Sequence, residues 1–410
     1  MPNPVSFRSD GHGITITSYA AAHFGKSLWW NGSELFLAFY LTEYLHLTGL
    51  TAGFTIAGGL VAGAGFDLAV ARRRHWFASV PRAGRMQVYG AVGSIVALAL
   101  LVMAAVSTGM VRVFAVVVAN ALYRLSYVFY DLPQNCLLSL IAWSPDRQRQ
   151  AAAARTAAGA MALILMSAFI DYPGATLVPS VQSLAGVAGI AAMALVTAMW
   201  LWRETRKIVD TRGETEPHRE TPLGPLLALM ALVCLTIPAF SKLAPYVATY
   251  SRDARSIPLL LTIALCTAAS QPLWLWAIRR RGEWVCAWLS GAILVAAAVG
   301  ALTAPLTVAA ALIGIGSGGL GTAIWAGFAA TVSNADPLRA APAYARLTAT
   351  AKLALAMAAI GLGAILGSSD YQRDGAALLP AMIVLTMTGG GAVMLLSGHV
   401  LMRERRAETA

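Results

Sequence analysis

Charge is what this sequence has least of. Asp, Glu, Lys and Arg make up 12% of its 410 residues, against roughly 25% in a typical soluble domain. Cysteine is scarce too. Cys136, Cys234, Cys266 and Cys286 stand singly in or near apolar runs, so there is no CxxC pair or metal spacing and they read as small core residues. No nucleophile–base pair, metal-ligand cluster or phosphate loop is present, which argues against an enzyme and against any resident metal or cofactor. The glycine run "GIGSGG", Gly314 to Gly319, lies inside an apolar segment, where close helix packing is the expected role. The opening "MPNPVSFRSDGHG" lacks a short apolar region with a cleavage site, so no signal peptide is expected.

What the sequence does have is apolar length. Hydrophobic residues make up 58% of the chain and the mean hydropathy is +0.66. Continuous runs of about 20 apolar residues recur from end to end, as transmembrane helices require, and they do not alternate as barrel strands do. Twelve helices are predicted: 16–46, 50–71, 88–107, 110–142, 149–170 and 184–203, then 223–250, 256–279, 284–303, 306–333, 341–367 and 375–402. The polar stretch "RETRKIVDTRGETEPHRETP" divides them. The organisation expected is an N-terminal six-helix bundle (1–203), a cytoplasmic loop (204–222) and a C-terminal six-helix bundle (223–410).

With the N-terminus inside, 22 of the 30 basic residues fall in inner segments, while the outer loops hold only Arg112, Arg252, Arg255 and Arg373. That asymmetry places both termini in the cytoplasm of a bacterial-type inner membrane. It also accounts for the net charge of +11 without nucleic acid. The bilayer and a small molecule are the partners expected, and a monomer the expected state.

Charges inside spans are costly and usually face a cavity or one another. They are Lys26, Arg124, Lys242 and Lys352, with Glu34, Asp67 and Asp131. In helix 4, Arg124, Tyr127, Asp131 and Gln134 or Asn135 share one face, flanked by Tyr123 and Tyr130. Pro133 removes a backbone donor beside Asp131, so a loosened turn is expected there, whose freed carbonyls would suit a cation, a proton or a hydroxyl. An internal Arg124–Asp131 pair and a Lys352–Asp131 pair across the cavity are two further readings. In helix 1, Lys26, Trp30 and Glu34 form a stripe with Ser27 and Asn31 beside it; snorkelling of Lys26 is the alternative. "FGKS" at 24–27 echoes "FSKL" at 240–243, as an internal repeat would. Trp274 and Trp276 read as interface anchors, and Trp325, mid-span, as either an anchor or a stacking plate.

These segments together resemble the major facilitator superfamily, and within it the melibiose permease-like glycoside–pentoside–hexuronide:cation symporters. The resemblance is carried by "HFGKS", "YDLPQN", "SPDRQRQAAAAR", "GTAIW" and "TATAKLALAMAAIGLGAIL", in that family's order with the last two at helices 10 and 11. It implies a major facilitator fold and a substrate site holding Lys26, Asp131, Arg155, Trp325 and Lys352. This chain departs from the family at Ser27, where an acid is usual, and at Asn135, where a tryptophan can stand. The family's helix 2 carries two sodium-binding aspartates, and here Asp67 is followed by Val70 and Ala71. One carboxylate is a poor site for a hard cation, so H+ is preferred to Na+ as the co-transported ion. "GAGFD", Gly63 to Asp67, also resembles a superfamily loop motif in which the aspartate latches cytoplasmic arginines, so Asp67 stands as coupling site or gate latch.

The function expected is secondary active transport of a small polar solute (sugar-like, anionic or zwitterionic) by alternating access. The substrate-site candidates are Lys26, Asn31, Tyr127, Asp131, Asn135, Arg155, Trp325 and Lys352. Asp131, Asp67 and Glu34 are the coupling candidates, with Arg124, Lys242 and Tyr123 secondary. An exporter by proton antiport, and a non-transport assembly factor or receptor on the same fold, are the competing readings.

Overall fold

A computed structural model describes residues 15–44, 46–105, 109–141, 143–170, 181–208, 223–250, 259–333 and 337–409. Among them there is no β-strand. The helices are α1 (Ile16–Phe39), α2 (Gly49–Ala71), α3 (Val80–Ala105), α4 (Gly109–Leu140), α5 (Pro145–Ile170), α6 (Val181–Thr205), α7 (Gly224–Thr236), α8 (Pro238–Tyr250), α9 (Leu259–Ala269), α10 (Gln271–Arg281), α11 (Glu283–Thr303), α12 (Leu306–Ser333), α13 (Pro337–Ser368) and α14 (Leu379–Thr409). With α7–α8 and α9–α10 each taken as one span, these make the twelve spans expected.

The differences from expectation have local causes. α1 ends at Phe39 and continues as a π-helical turn, Tyr40–Tyr44, so the first predicted span is two elements. The seventh breaks before Pro238, whose ring and missing N–H cannot continue a helix. The eighth bends by 45° at Ser270, one residue before the Gln271–Pro272 start of α10. Of the central segment, 204–205 end α6, 206–208 form a turn after it, and 209–222 lie outside the described residues. Among the described residues, eight helices are long and apolar enough to cross a membrane, or nine with α9–α10 as one span. α1, α4 and α5 are not among them, and these are the helices that carry Lys26, Arg124, Asp131 and Arg155.

The two halves repeat one another's neighbours. α1 packs on α5 and α6 as α7 does on α13 and α14; α3 packs on α4 and α6 as α11 does on α12 and α14; α2 meets α4 as α9 meets α12. Between the halves, α2 lies on α13 and α9 on α5. The α2–α13 seam is backbone on backbone. A Cβ on Gly53 would stand 2.6 Å from the Ala359 carbonyl oxygen, and one on Gly363 would stand 2.4 Å from that of Gly49. The glycine run in α12 acts as its sequence suggests: a Cβ on Gly314 would stand 2.3 Å from the Ile263 carbonyl oxygen of α9, and any side chain there would push the helices apart.

The halves are also tied at both ends. At one, the arginine-rich end, Asp146 of α5 takes a two-pronged contact from Arg279 of α10, at 2.5 and 2.8 Å. Arg149 reaches Glu283 of α11 at 2.9 Å and Gln148 reaches Ser333 of α12 at 2.5 Å. At the other end the Glu43 carboxylate accepts from the hydroxyls of Tyr250 and Tyr371, and Thr42 meets Tyr246 at 3.0 Å.

Candidate functional site

The centre between the halves is built from α1, α2, α4, α5, α12 and α13. α1 contributes Tyr19 and Lys26, two turns apart, because apolar and polar positions on this helix follow the helical repeat. Lys26 is 2% exposed and its Nζ donates to Asp131 Oδ1 of α4 at 2.6 Å and to Asn135 Oδ1 at 3.2 Å. Asn135 sits one turn beyond Asp131, so both reach the same ammonium. The same Asn135 oxygen accepts from Arg155 Nη1 of α5 at 2.7 Å. Two cationic donors therefore share one amide oxygen, which fixes the orientation of that amide.

Arg155, 4% exposed, also donates to the Tyr19 hydroxyl at 3.3 Å. Its guanidinium carbon lies 3.5 Å from the ring centroid of Trp325 on α12, and the Tyr344 ring of α13 lies 14° from parallel to that indole at 6.3 Å. The Tyr344 hydroxyl is held by Ser139 of α4 at 2.7 Å. Cation, indole and phenol thus form one cluster crossing between the halves.

A second ion pair lies beside the first. Lys352 Nζ of α13 donates to both oxygens of Asp67 on α2, each at 2.7 Å, with Asp67 wholly buried. This corrects two of the sequence readings. Asp131 pairs with Lys26 and not with Lys352 or Arg124, because α1 is the helix that faces it. Asp67 latches onto Lys352, not onto the arginines that follow it, since Arg72, Arg73 and Arg74 point to solvent. Arg124 instead lies against α2 at Gly59, with its Nε 3.5 Å from where a Cβ would stand and its guanidinium carbon 5.8 Å from the Tyr123 ring centroid.

Other expectations resolve individually. Pro133 does not break α4. The carbonyl it frees is that of Phe129, and Gly90 of α3 packs onto it: a Cβ there would stand 2.6 Å away. The loosened turn is spent on helix packing and supplies no ligand to the centre. Tyr127 stacks on Trp30 at 5.5 Å, the Tyr123 hydroxyl donates to the Trp29 carbonyl, and Asn31 donates to the Gly159 carbonyl at 3.3 Å. Lys242 lies apart from the cluster, on a small cavity with Thr42 and Tyr246. Glu34 falls on α1, but its side chain lies outside the described residues. Trp276 is 54% exposed, as an anchor should be, whereas Trp274 is 3% exposed and donates to the Ile315 carbonyl at 2.8 Å. It is a core residue; the two-residue spacing puts these tryptophans on different faces of α10.

Tyr19, His23, Ser139 and Tyr344 belong to this centre and were not singled out in the sequence. His23 Nδ1 lies 3.4 Å from Gln134 Oε1. A signal existed for the first two: positions 19, 23, 26 and 30 form one helical stripe. None existed for Ser139 or Tyr344, which are recognisable only from contacts between halves.

An all-helical chain of two similar halves, tied at both ends and charged at the centre, defines a membrane protein of the two-bundle type. The solved structures it is similar to make the fold explicit. They include a major facilitator superfamily transporter, FucP, in the outward conformation (TM-score 0.60, 11% identity, 94% of this chain and 98% of that one). A bacterial homologue of the iron transporter ferroportin, outward-facing with soaked iron, gives TM-score 0.62 at 14% identity, covering 93% and 98%. A peptide transporter in complex with alafosfalin gives 0.60 at 13%, covering 97% and 96%. The fold is that of the major facilitator superfamily transporters. No protein-family model and no curated protein matches the sequence.

Proposed function

We propose that this chain is a secondary active transporter that moves a small polar solute by alternating access, coupled to protons. The observation that carries the reading is the pair of ion pairs, Lys26–Asp131 and Lys352–Asp67, buried side by side between two bundles. Burying an ion pair brings little or no net stability relative to apolar residues, so a scaffold has no need of two. A machine that must bind, release and re-pair charge does.

In this reading the two sets of end contacts are the gates. Releasing Glu43 from Tyr250 and Tyr371 opens one side; releasing Asp146 from Arg279 and Arg149 from Glu283 opens the other. The arginine-rich end faces the cytoplasm of a cell membrane, because basic loops stay inside. The chain works as halves 1–203 and 223–410 joined by 204–222. Lys26, Asn135 and Arg155 bind the solute, with Trp325 against the Arg155 guanidinium and Asn31 and Tyr127 on the flanking wall. A proton arriving on Asp131 releases Lys26, and the Lys352–Asp67 bridge transmits the change because it spans the halves. Sodium is disfavoured by the same bridge: both Asp67 oxygens are occupied by Lys352, and Val70 and Ala71 offer no further oxygen ligand.

The test is reconstitution into proteoliposomes with a solute found by thermal-shift screening of sugars, amino acids, organic acids and amphiphiles, with and without sodium. Asp131→Asn is expected to abolish accumulation driven by a pH gradient while solute exchange persists. Unchanged gradient-driven accumulation in that variant would reject the coupling role.

A further inference from the structure

The central cluster is unbalanced in both charge and hydrogen bonding. Lys26 has Asp131 as counter-ion at 2.6 Å, whereas every hydrogen-bond and stacking partner of Arg155 is neutral: the Asn135 amide, the Tyr19 hydroxyl and the Trp325 ring. Among the described residues no carboxylate lies within ion-pair distance of its guanidinium. A guanidinium that is 4% exposed and lacks a counter-charge is expensive unless an anion joins it during the working cycle.

Donor capacity is unbalanced in the same direction. Lysine and arginine only donate. Asn135 is fully buried, and its oxygen is committed to both of them, so its amide nitrogen faces the other way and has no partner. Lys26 of α1, Arg155 of α5 and the Asn135 amide of α4 are three donors that meet around Asn135, with Asp131 as the one carboxylate among the described residues bonded to any of them. A neutral polyol brings donors as well as acceptors to such a site; a carboxylate brings acceptors alone and cancels the excess charge.

The aromatic face points the same way. One face of the Trp325 ring is covered by Arg155 at 3.5 Å, and the Tyr344 ring lies nearly parallel to the indole with centroids 6.3 Å apart. The face that holds the guanidinium is closed to a pyranose.

We propose that the transported solute is a monoanion, recognised through a carboxylate or an equivalent acceptor-only group by Arg155, Lys26 and the Asn135 amide, with Trp325 and Tyr344 holding Arg155 in place. Trp325 is then a positioning residue for the guanidinium and not a sugar platform. This rests on the transporter reading and narrows it.

The test uses the full-length protein, purified and reconstituted, with matched probes: D-glucuronate against D-glucose, D-gluconate against sorbitol, and lactate against propane-1,2-diol. Thermal shift reports binding, and counterflow in proteoliposomes reports transport. Binding and counterflow are expected with at least one carboxylate and not with its neutral partner. Arg155→Gln is expected to weaken that binding by about ten- to a hundred-fold, the range for a charge-assisted contact, with Arg155→Lys between the two. Trp325→Phe, which keeps a plate for the guanidinium, is expected to retain binding far better than Trp325→Ala. Counterflow of a neutral partner that survives Arg155→Gln would overturn the anion assignment and leave the transporter reading standing. Absence of counterflow for every probe would overturn both. Equal loss with Trp325→Phe and Trp325→Ala would overturn the positioning role alone.

Discussion

The Lys352–Asp67 bridge offers the sharpest single perturbation, because it crosses between the halves and is almost sealed from solvent. Its ammonium lies 2.7 Å from each carboxylate oxygen, with side-chain exposures of 4% and 0%. At an effective dielectric of about 20, the attraction at that separation is about 6 kcal/mol. Removing both charges from water costs several kcal/mol per ion, so the intact pair is nearly neutral in net terms. Cutting one partner is different, since it strands the other charge in an apolar seam at a cost of about 3–5 kcal/mol. Lys352→Met and Asp67→Leu are therefore each expected to destabilise the protein by about that amount. The double variant, which leaves two apolar side chains facing each other beside Gly63, is expected to recover most of the loss, with a coupling energy of at least about 2 kcal/mol. Denaturant titration in mixed micelles, followed by tryptophan fluorescence, measures the cycle. Losses that simply add in the double variant would refute the reasoning, because they would mean that neither charge is stranded by removing the other.

Two further outcomes follow from contacts away from the charged centre. Gly363→Leu places its Cβ 2.4 Å from the Gly49 carbonyl oxygen, so the α2–α13 seam must separate; a stability loss above about 2 kcal/mol is expected, and labelling of an engineered cysteine at Ala52, buried against α13 at the seam, should rise. At the arginine-rich end the hydrogen-bonded contact from Arg279 holds the Asp146 carboxyl below the usual carboxylate range. A lowered carboxylate contributes its stability above the unfolded value and loses it as pH falls through the folded one. Asp146→Asn is therefore expected to cost less than about 1 kcal/mol at pH 7, because the pair is half-exposed and screened, and the difference from wild type in melting temperature should begin to shrink near the ordinary carboxylate value of about 4 and vanish only as pH falls through the lower folded one.

The spans were readable because apolar length is a one-dimensional property, and the stripes on α1 and α4 because helical spacing alone decides which residues share a face. Asp131 and Asn135 share a face of α4 for that reason, as Lys26 and Trp30 share one of α1, and Arg155 is reached through the family resemblance. What spacing cannot supply is which helix a face meets. Nothing about Lys352 in its own segment distinguishes Asp67 from Asp131 as a partner. The choice is made by the register of α13 on α2, which the backbone contacts of Gly49 and Gly53 with Gly363 and Ala359 determine. Those four small residues are unremarkable as letters and lie more than one helical turn from either charge. With α2 pinned there, Gly63 falls against the Lys352 side chain, 3.5 Å from its Cδ to where a Cβ would stand, and Asp67 one turn further on receives the ammonium. Bulk introduced at the seam should therefore disturb the ion pair as well as the gate beside it. The partner of a buried charge in this protein is decided by where two backbones touch.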